Sequence, residues 1–203
     1  MSDDEGIVYV VDDDPSIRRA LHGLLNSAGW AAETFPDAPA FLAAKRPDRP
    51  GCLVLDVQLP GLTGLDLQTR LASVNEALPI IFLTGRGDIP ISVRAMKAGA
   101  TDFLTKPFSE PELIAAIRRA IELDRTRRAE RKELDELRRR YDSLTPRERA
   151  VMAGIVSGRL NKQIAAEFGT TEVTVKEQRA RVMLKMKAKS VATLVRIAER
   201  LRV

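Results

Sequence analysis

"VYVVDDDPSIR", residues 8–18, joins four residues of strand type to three consecutive aspartates and then to a helical pattern. Val8, Tyr9, Val10 and Val11 are β-branched or aromatic, as suits a strand. Asp12, Asp13 and Asp14 need a reason to sit together, because like charges repel and carboxylates resist burial. Asp14 finds one at the start of the following helix, where an acidic side chain complements the helix dipole. Asp12 and Asp13 are left requiring a counter-charge.

The same strand-to-helix step repeats through the first half of the chain. Short apolar runs at 7–11, 31–35, 52–56, 80–83 and 102–105 predict strands. Apolar residues at helical spacing mark 17–25, 38–44, 65–71, 91–98 and 113–121 as helices. Five such repeats fit an α/β fold, a doubly wound parallel sheet with helices on both faces. The ligand site of such a sheet lies beyond the C-terminal ends of its strands.

The third strand, "CLVLD", ends in Asp56. If it neighbours the first, then Asp12, Asp13 and Asp56 converge, and Mg²⁺ would relieve their repulsion by taking oxygen ligands. "IIFLT" delivers Thr84 and "DFLTKP" delivers Lys106. A hydroxyl and an ammonium beside a metal-bound carboxylate suit a transferred phosphoryl group. Asp56 is then the natural acceptor, since a carboxylate can form an aspartyl-phosphate. Taken singly, each residue has a plainer reading: helix caps for Asp12, Asp56 and Thr84, a solvated Lys106, a core Phe103.

The chain has 203 residues, 44% hydrophobic and 30% charged, enough for one large domain or two ordinary ones. No apolar run is long enough to span a bilayer and the first ten residues lack a secretory pattern, so a cytoplasmic location without a membrane partner is expected. A single cysteine, Cys52, agrees with a reducing compartment. With His22 as the only histidine, nothing points to a zinc site. The net charge of +5 is unevenly spread. Residues 1–122 carry 12 basic and 17 acidic side chains, whereas 123–203 carry 21 and 11. The basic half invites a polyanion, of which nucleic acid is the commonest.

Three segments are expected: 1–122, a charged helical linker at 123–143, and an all-helical unit at 144–203. In the linker, Leu134, Leu137, Tyr141 and Leu144 recur at spacings of 3, 4 and 3, which suits either a short coiled-coil seam or one charged helix held by pairs such as Glu136 with Arg140. "TPRE" at 145–148 is a capping box. Helices are expected at 146–157, 162–168, 172–187 and 191–201, with Gly158 and Gly169 as terminators and Thr171 and Ser190 as caps. The tight "FGTTE" between the second and third is the turn of a helix-turn-helix.

The first half resembles the receiver domain of two-component response regulators, and the C-terminal unit resembles the LuxR-type helix-turn-helix. "VVDDDPSIR", "LVLDVQLPGLTGLDL", "IIFLTGRGDIPISVRAMKAGATDFLTKPF" and "LTPRERAVMAGIVSGRLNKQIAAEFG" carry the likeness in this order. Together they look like a FixJ/NarL-type transcription regulator. The resemblance implies a flavodoxin-like receiver in which Asp12, Asp13 and Asp56 bind Mg²⁺ with the backbone carbonyl of Gln58. Asp56 would accept the phosphoryl group of a sensor histidine kinase, while Thr84 and Lys106 contact its oxygens. Phe103 matches the aromatic that changes rotamer with Thr84, and the Lys106–Pro107 bond is expected to be cis. Gly85 departs from the family's usual alanine, which bears on the lifetime of the phosphoryl group. The surface with Ile91, Arg94, Ala95, Lys97 and Asp102 matches the one through which receivers dimerise, implying a homodimer on phosphorylation. RNA polymerase stays open as a further partner.

Double-stranded DNA is the expected ligand of the C-terminal unit, whose 172–187 helix would enter the major groove. Val175, Val182 and Met186 share one face and should turn inward. Lys176, Glu177, Arg179, Ala180, Arg181 and Lys185 remain for DNA, Lys176 and Arg181 first, Arg179 and Lys185 at phosphates, with Thr171, Thr174, Asn161 and Lys162 near the backbone. Glu177 either accepts from cytosine N4 or pairs with Arg181, the reading preferred here. In the last helix, Val191, Leu194, Val195 and Ala198 form a second dimer contact or close the small core. Two other classes compete: a magnesium-dependent phosphohydrolase with an aspartyl-phosphate intermediate, and a DNA binder indifferent to phosphorylation. The first lacks a substrate lid and a second general acid, and the intact acidic cluster speaks against the second.

Overall fold

A computed structural model of the chain describes residues 6–73, 78–85 and 89–203, without the side chains of 89–92. The chain divides into two compact units, Met1–Arg128 and Ala129–Val203. The first holds strands β1 (Ile7–Val11), β2 (Ala31–Phe35), β3 (Gly51–Asp56), β4 (Ile80–Thr84) and β5 (Asp102–Thr105) in one parallel sheet ordered β2-β1-β3-β4-β5. Between them run helices α1 (Pro15–Ser27), α2 (Ala38–Ala43), α3 (Gly64–Ser73) and α4 (Ile89–Lys97), and α5 (Glu110–Asp142) follows. Strands β3 and β4 each gain one residue over the sequence expectation. Gly51 pairs with Ile7 and Thr84 with Thr105, although neither residue gives an apolar signal.

The period of two in a strand sorts the core into two layers. Ile7, Tyr9, Leu53, Leu55 and Phe82 point to one face, covered by Phe41 of α2, Leu67 and Leu71 of α3 and Ala95 of α4. Val8, Val10, Val54, Ile81 and Leu83 point to the other, covered by Leu21 and Leu25 of α1 and by Leu113, Ile117 and Ile121 of α5. Both faces are therefore dry, which is why these strands read as unbroken apolar runs. With α1 on one face and α3 on the other, the connections diverge between β1 and β3 and leave a crevice at their C-terminal ends.

Several local features differ from expectation. Ala95, expected on the exposed face of α4, is fully buried in the first layer. Gln68 of α3 donates to the Ala95 and Ala98 carbonyls at 3.2 and 3.1 Å and so holds the C-terminal end of α4. Ile91 lies outside the described side chains. The first unit also reaches past residue 122. The buried Asp124 accepts from the Gly51 N–H at 2.9 Å and from Arg128 Nε at 2.7 Å, and Arg128 pairs with Asp48.

In the second unit, the end of α5 is followed by α6 (Pro146–Val156), α7 (Asn161–Glu167), α8 (Glu172–Lys185) and α9 (Val191–Leu201). Leu137 and Leu144 are buried in its core with Val151, Ile164, Val175 and Val182, and Tyr141 packs against it. The apolar seam at the end of α5 is thus occupied within its own unit, while Glu136 pairs with Arg140 at 3.1 Å as expected. Leu194 and Ala198 of α9 close the same core, whereas Val191 stays exposed and Val195 half-buried.

The caps follow the sequence signals. Thr145 and Glu148 form the reciprocal box, and Thr171 and Ser190 accept from Thr174 and Thr193. Helix α7 starts at Asn161, one residue early, because the Gln163 side chain accepts the Leu160 N–H at 2.8 Å. Helix α8 stops at Lys185 instead of residue 187. Lys187 takes the left-handed conformation at φ 51° that ends a helix, without the glycine that would have signalled it.

Candidate functional site

Parallel pairing of β1 with β3 brings Asp12, Asp13 and Asp56 to one sheet edge, each offering an oxygen within 4.8 Å of the others. Asp12 and Asp56 are buried and Asp13 is exposed. Lys106, just beyond β5, donates from Nζ to Asp12 Oδ2 at 2.8 Å and to Asp56 Oδ2 at 2.5 Å. Its backbone N–H donates to the Thr84 carbonyl at 2.6 Å, and the Lys106–Pro107 bond is cis. Thr84 is fully buried at the end of β4. Phe103, half-buried on β5 opposite Phe82, packs against the first core layer.

Burial pushes the Asp12 carboxyl above its ordinary value, against the hydrogen bonds from Lys106 and from the Asp14 N–H. Burial alone would lower the Lys106 ammonium, but its hydrogen bonds to Asp12 and Asp56 outweigh it and raise it. Among the described residues three carboxylates still face one ammonium. The donor set is all oxygen, convergent and under-neutralised, which fits a hard divalent cation such as Mg²⁺. The Gln58 N–H donates to Asp56 Oδ1 at 2.9 Å, folding the chain after β3 back onto that carboxylate.

Arg18 escaped the sequence reading. Its Nη1 donates to the Asp12 and Asp13 carbonyls at 2.7 and 2.9 Å, so the guanidinium fixes the acidic turn from behind. The only available signal was a basic residue one helical turn beyond the aspartates. Beside the cluster lies a cleft of about 630 Å³ lined in part by Asp13, Gln58, Thr63, Asp66 and Arg94. Hydrogen bonds from Thr63 hold the Asp66 carboxyl below its usual range.

In the second unit, Val175, Val182 and Met186 are fully buried, which turns the opposite side of α8 outward. Lys176, Glu177, Ala180 and Arg181 are exposed there, as are Thr171 and Lys162. Val173 and Leu184, passed over in the sequence, are exposed too, at 67% and 79%. The Thr171 and Thr174 hydroxyls bond each other at 2.9 Å within the cap. Arg179 donates to Asn161 Oδ1 at 3.2 Å, and Lys185 Nζ to Glu148 Oε2 at 2.6 Å. The expected pairing of Glu177 with Arg181 does not occur among the described residues: no hydrogen bond or ion pair joins them. Arg147, also unforeseen, donates to the Phe168 carbonyl at 3.0 Å and lies over its ring, bracing the turn before α8.

Residues 8–118 match the family of response regulator receiver domains, and residues 142–198 match the bacterial regulatory proteins of the luxR family. The chain belongs to the FixJ-like response regulators. Over 97% of its length it is 51% identical to Nodulation protein W of Bradyrhizobium diazoefficiens, covering 87% of that protein. It is 43% identical to the transcriptional regulatory protein FixJ of the same organism, over 97% of this chain and 96% of that one. Among solved structures, the response regulator StyR is 47% identical with a TM-score of 0.87, over 97% of this chain and 99% of that one. This response regulator is accordingly a transcription regulator controlled by phosphorylation, joining a receiver to a LuxR-type DNA-binding domain. A receiver implies a histidine kinase as partner and an acidic cluster that binds Mg²⁺. Among the described residues no helix is long and apolar enough to cross a membrane.

Proposed function

We propose that Asp56 is the phosphoacceptor through which a sensor histidine kinase controls DNA binding by the second unit. The convergence of Asp12, Asp13, Asp56 and Lys106 carries this reading. Asp12, Asp13 and Asp56 would hold Mg²⁺, with the Gln58 carbonyl as a further ligand; bound there, the ion would offset the negative charge of the transferring group. An Asp56 oxygen forms the new P–O bond as the donor's P–N bond breaks. Lys106, released from Asp56 Oδ2 by that bond, turns its ammonium to the phosphoryl oxygens, and Thr84 supplies a hydroxyl to them. Phe103 follows Thr84, and the surface bearing Arg94, Lys97 and Asp102 changes with it. Two phosphorylated receivers then pair, so that a homodimer brings two α8 helices to two half-sites.

On DNA, Lys176 and Arg181 are the foremost contacts of α8, with Glu177 and Ala180 between them at the bases. Thr171, Thr174 and Lys162 lie near the backbone, and Arg179 braces Asn161 as it does so. The receiver assignment covers residues 1–122, with the packing of that unit continuing to Arg128, and the DNA-binding assignment covers 144–203, whose core also takes in Leu137 and Tyr141 of α5, in a cytoplasmic protein. Binding of a promoter duplex, followed by mobility shift before and after treatment with Mg²⁺ and a small phosphodonor, tests the coupling. Tighter binding after treatment is the expected result, and identical binding in both states would return the chain to the class of constitutive DNA binders.

Gly85 gives a separate handle on the switch. Among the described residues a Cβ there would meet no atom within 4 Å, and its φ lies outside the left-handed region. Gly85→Ala is therefore expected to fold normally, with a gain of about 0.5 kcal/mol from the stiffened unfolded chain. The added methyl narrows access of water beside Thr84, so the phosphoryl group should decay more slowly in a time course of intact mass.

A further inference from the structure

Glu148 serves two partners at once. Its Oε2 accepts the Thr145 N–H at 2.9 Å, closing the cap of α6, and accepts Lys185 Nζ at 2.6 Å from the last turn of α8. Lys185 Nζ also donates to the Ser143 carbonyl at 3.1 Å. Two of the three ammonium donors are thereby used, against a carboxylate that is only 5% exposed. A nearly buried carboxylate is costly unless it is paired, so this contact is strongly held. Hydrogen bonds from Lys185 first, and then from Thr145, keep the Glu148 carboxyl below its ordinary range.

The link lies where α8 needs support. Thr171 and Val175 anchor the start of that helix, Val182 and Met186 anchor its inner face, and the Lys185 ammonium ties its last turn to α6 and to the end of α5. Side chains on the outer face read bases only if the helix is held at a fixed rotation and tilt, because small displacements undo directional contacts. A basic residue spent on an internal carboxylate is also poorly placed to release counterions from DNA.

We infer that Glu148 is a positioning residue for DNA reading, acting through Lys185 to fix the orientation of α8, and that Lys185 is not itself a phosphate contact. The inference rests on the DNA-binding function and goes beyond it. It reverses the electrostatic expectation: removing a negative charge from this basic unit weakens its hold on DNA.

The test uses the full chain and a duplex that the wild type enriches from a randomised pool, with a scrambled duplex beside it. Glu148→Gln keeps an acceptor for the Thr145 N–H and removes the charge on which Lys185 is seated. It should bind the enriched duplex about tenfold more weakly, with a smaller loss on the scrambled one. General destabilisation would instead lower both equally. Lys185→Met should cost a similar factor, and the double variant no more than the worse single one. The slope of log affinity against log salt should be unchanged in Lys185→Met, whereas a lost phosphate contact would make it shallower by about 0.9.

Unchanged or tighter binding by Glu148→Gln overturns the inference, as does the shallower slope. If melting shows that Glu148→Gln is unfolded, the slope of Lys185→Met decides alone. A wild type that enriches no duplex, in either phosphorylation state, removes the DNA-binding function and this inference with it. Normal wild-type binding with an indifferent Glu148→Gln removes the inference only.

Discussion

Asp56→Asn is expected to abolish the single phosphoryl adduct that the wild-type regulator should form with Mg²⁺ and a small phosphodonor, read as intact mass. The substituted amide has nearly the shape of the carboxylate, and it retains an oxygen to accept the Gln58 N–H that now binds Asp56 Oδ1. What it lacks is the anionic oxygen that would form the P–O bond, and a neutral amide is a poor nucleophile at phosphorus. The charge balance changes as well. Lys106 would be left with Asp12 as its only carboxylate partner among the described residues. The fold should therefore persist while the chemistry is lost, and phosphodonor should no longer alter DNA binding. A residual adduct at full yield would place the acceptor elsewhere in the acidic cluster, at Asp12 or Asp13.

Gly64→Ala is expected to damage the same site from behind. Gly64 is buried in the first turn of α3, and its N–H donates to the Val57 carbonyl at 3.2 Å. A methyl group at this position would collide with the backbone carbonyl of Asp56 and press on the Phe82 ring at 3.1 Å and the Leu55 side chain at 3.2 Å. The nearest atom is backbone and cannot rotate away, so relief requires α3 or the end of β3 to move. Overpacking of this kind costs about 3 kcal/mol. In a unit of this size that corresponds to a fall in melting temperature of roughly 11 °C, measurable by calorimetry. Because the displaced carbonyl belongs to Asp56 itself, the rate of adduct formation should fall too. A variant that melts normally but phosphorylates slowly would show that the strain is taken up wholly at the strand end.

The α/β architecture was legible because the three central strands β1, β3 and β4 are dry on both faces and therefore apolar almost without interruption, while the edge strands β2 and β5 are only half-buried. The convergence of Asp12, Asp13, Asp56 and Lys106 was legible for a similar reason: all four sit at strand ends, and strand ends are what a doubly wound sheet brings together. Side chains that act across the fold left no such trace. Arg18 works on carbonyls, which every residue has, and so nothing in its surroundings distinguishes it from Arg19. Glu148 was recognisable as half of a capping box, and that local role concealed its second partner 37 residues away. The inward face of α8 was legible from the spacing of Val175, Val182 and Met186. The engagement of its cations Arg179 and Lys185 was not, because their partners Asn161 and Glu148 lie on other helices. Lys187 marks another limit, since a left-handed lysine ends a helix as well as glycine does and leaves no signature.

The burial of Leu137 and Leu144 bears on modularity. Response regulators are composite proteins, and a recombination joint placed at residue 144, where the helical signals of the second unit begin, would strand Leu137 and Tyr141 on the wrong parent. A fragment starting at Leu144 should accordingly melt well below one starting at Ala129, which keeps those side chains and the Glu133 carboxylate that Arg200 grips at 2.6 and 2.9 Å. Exchange of input modules, in the laboratory or in evolution, then has a preferred seam: it runs through the middle of a charged helix, upstream of the residues that resemble a DNA-binding domain.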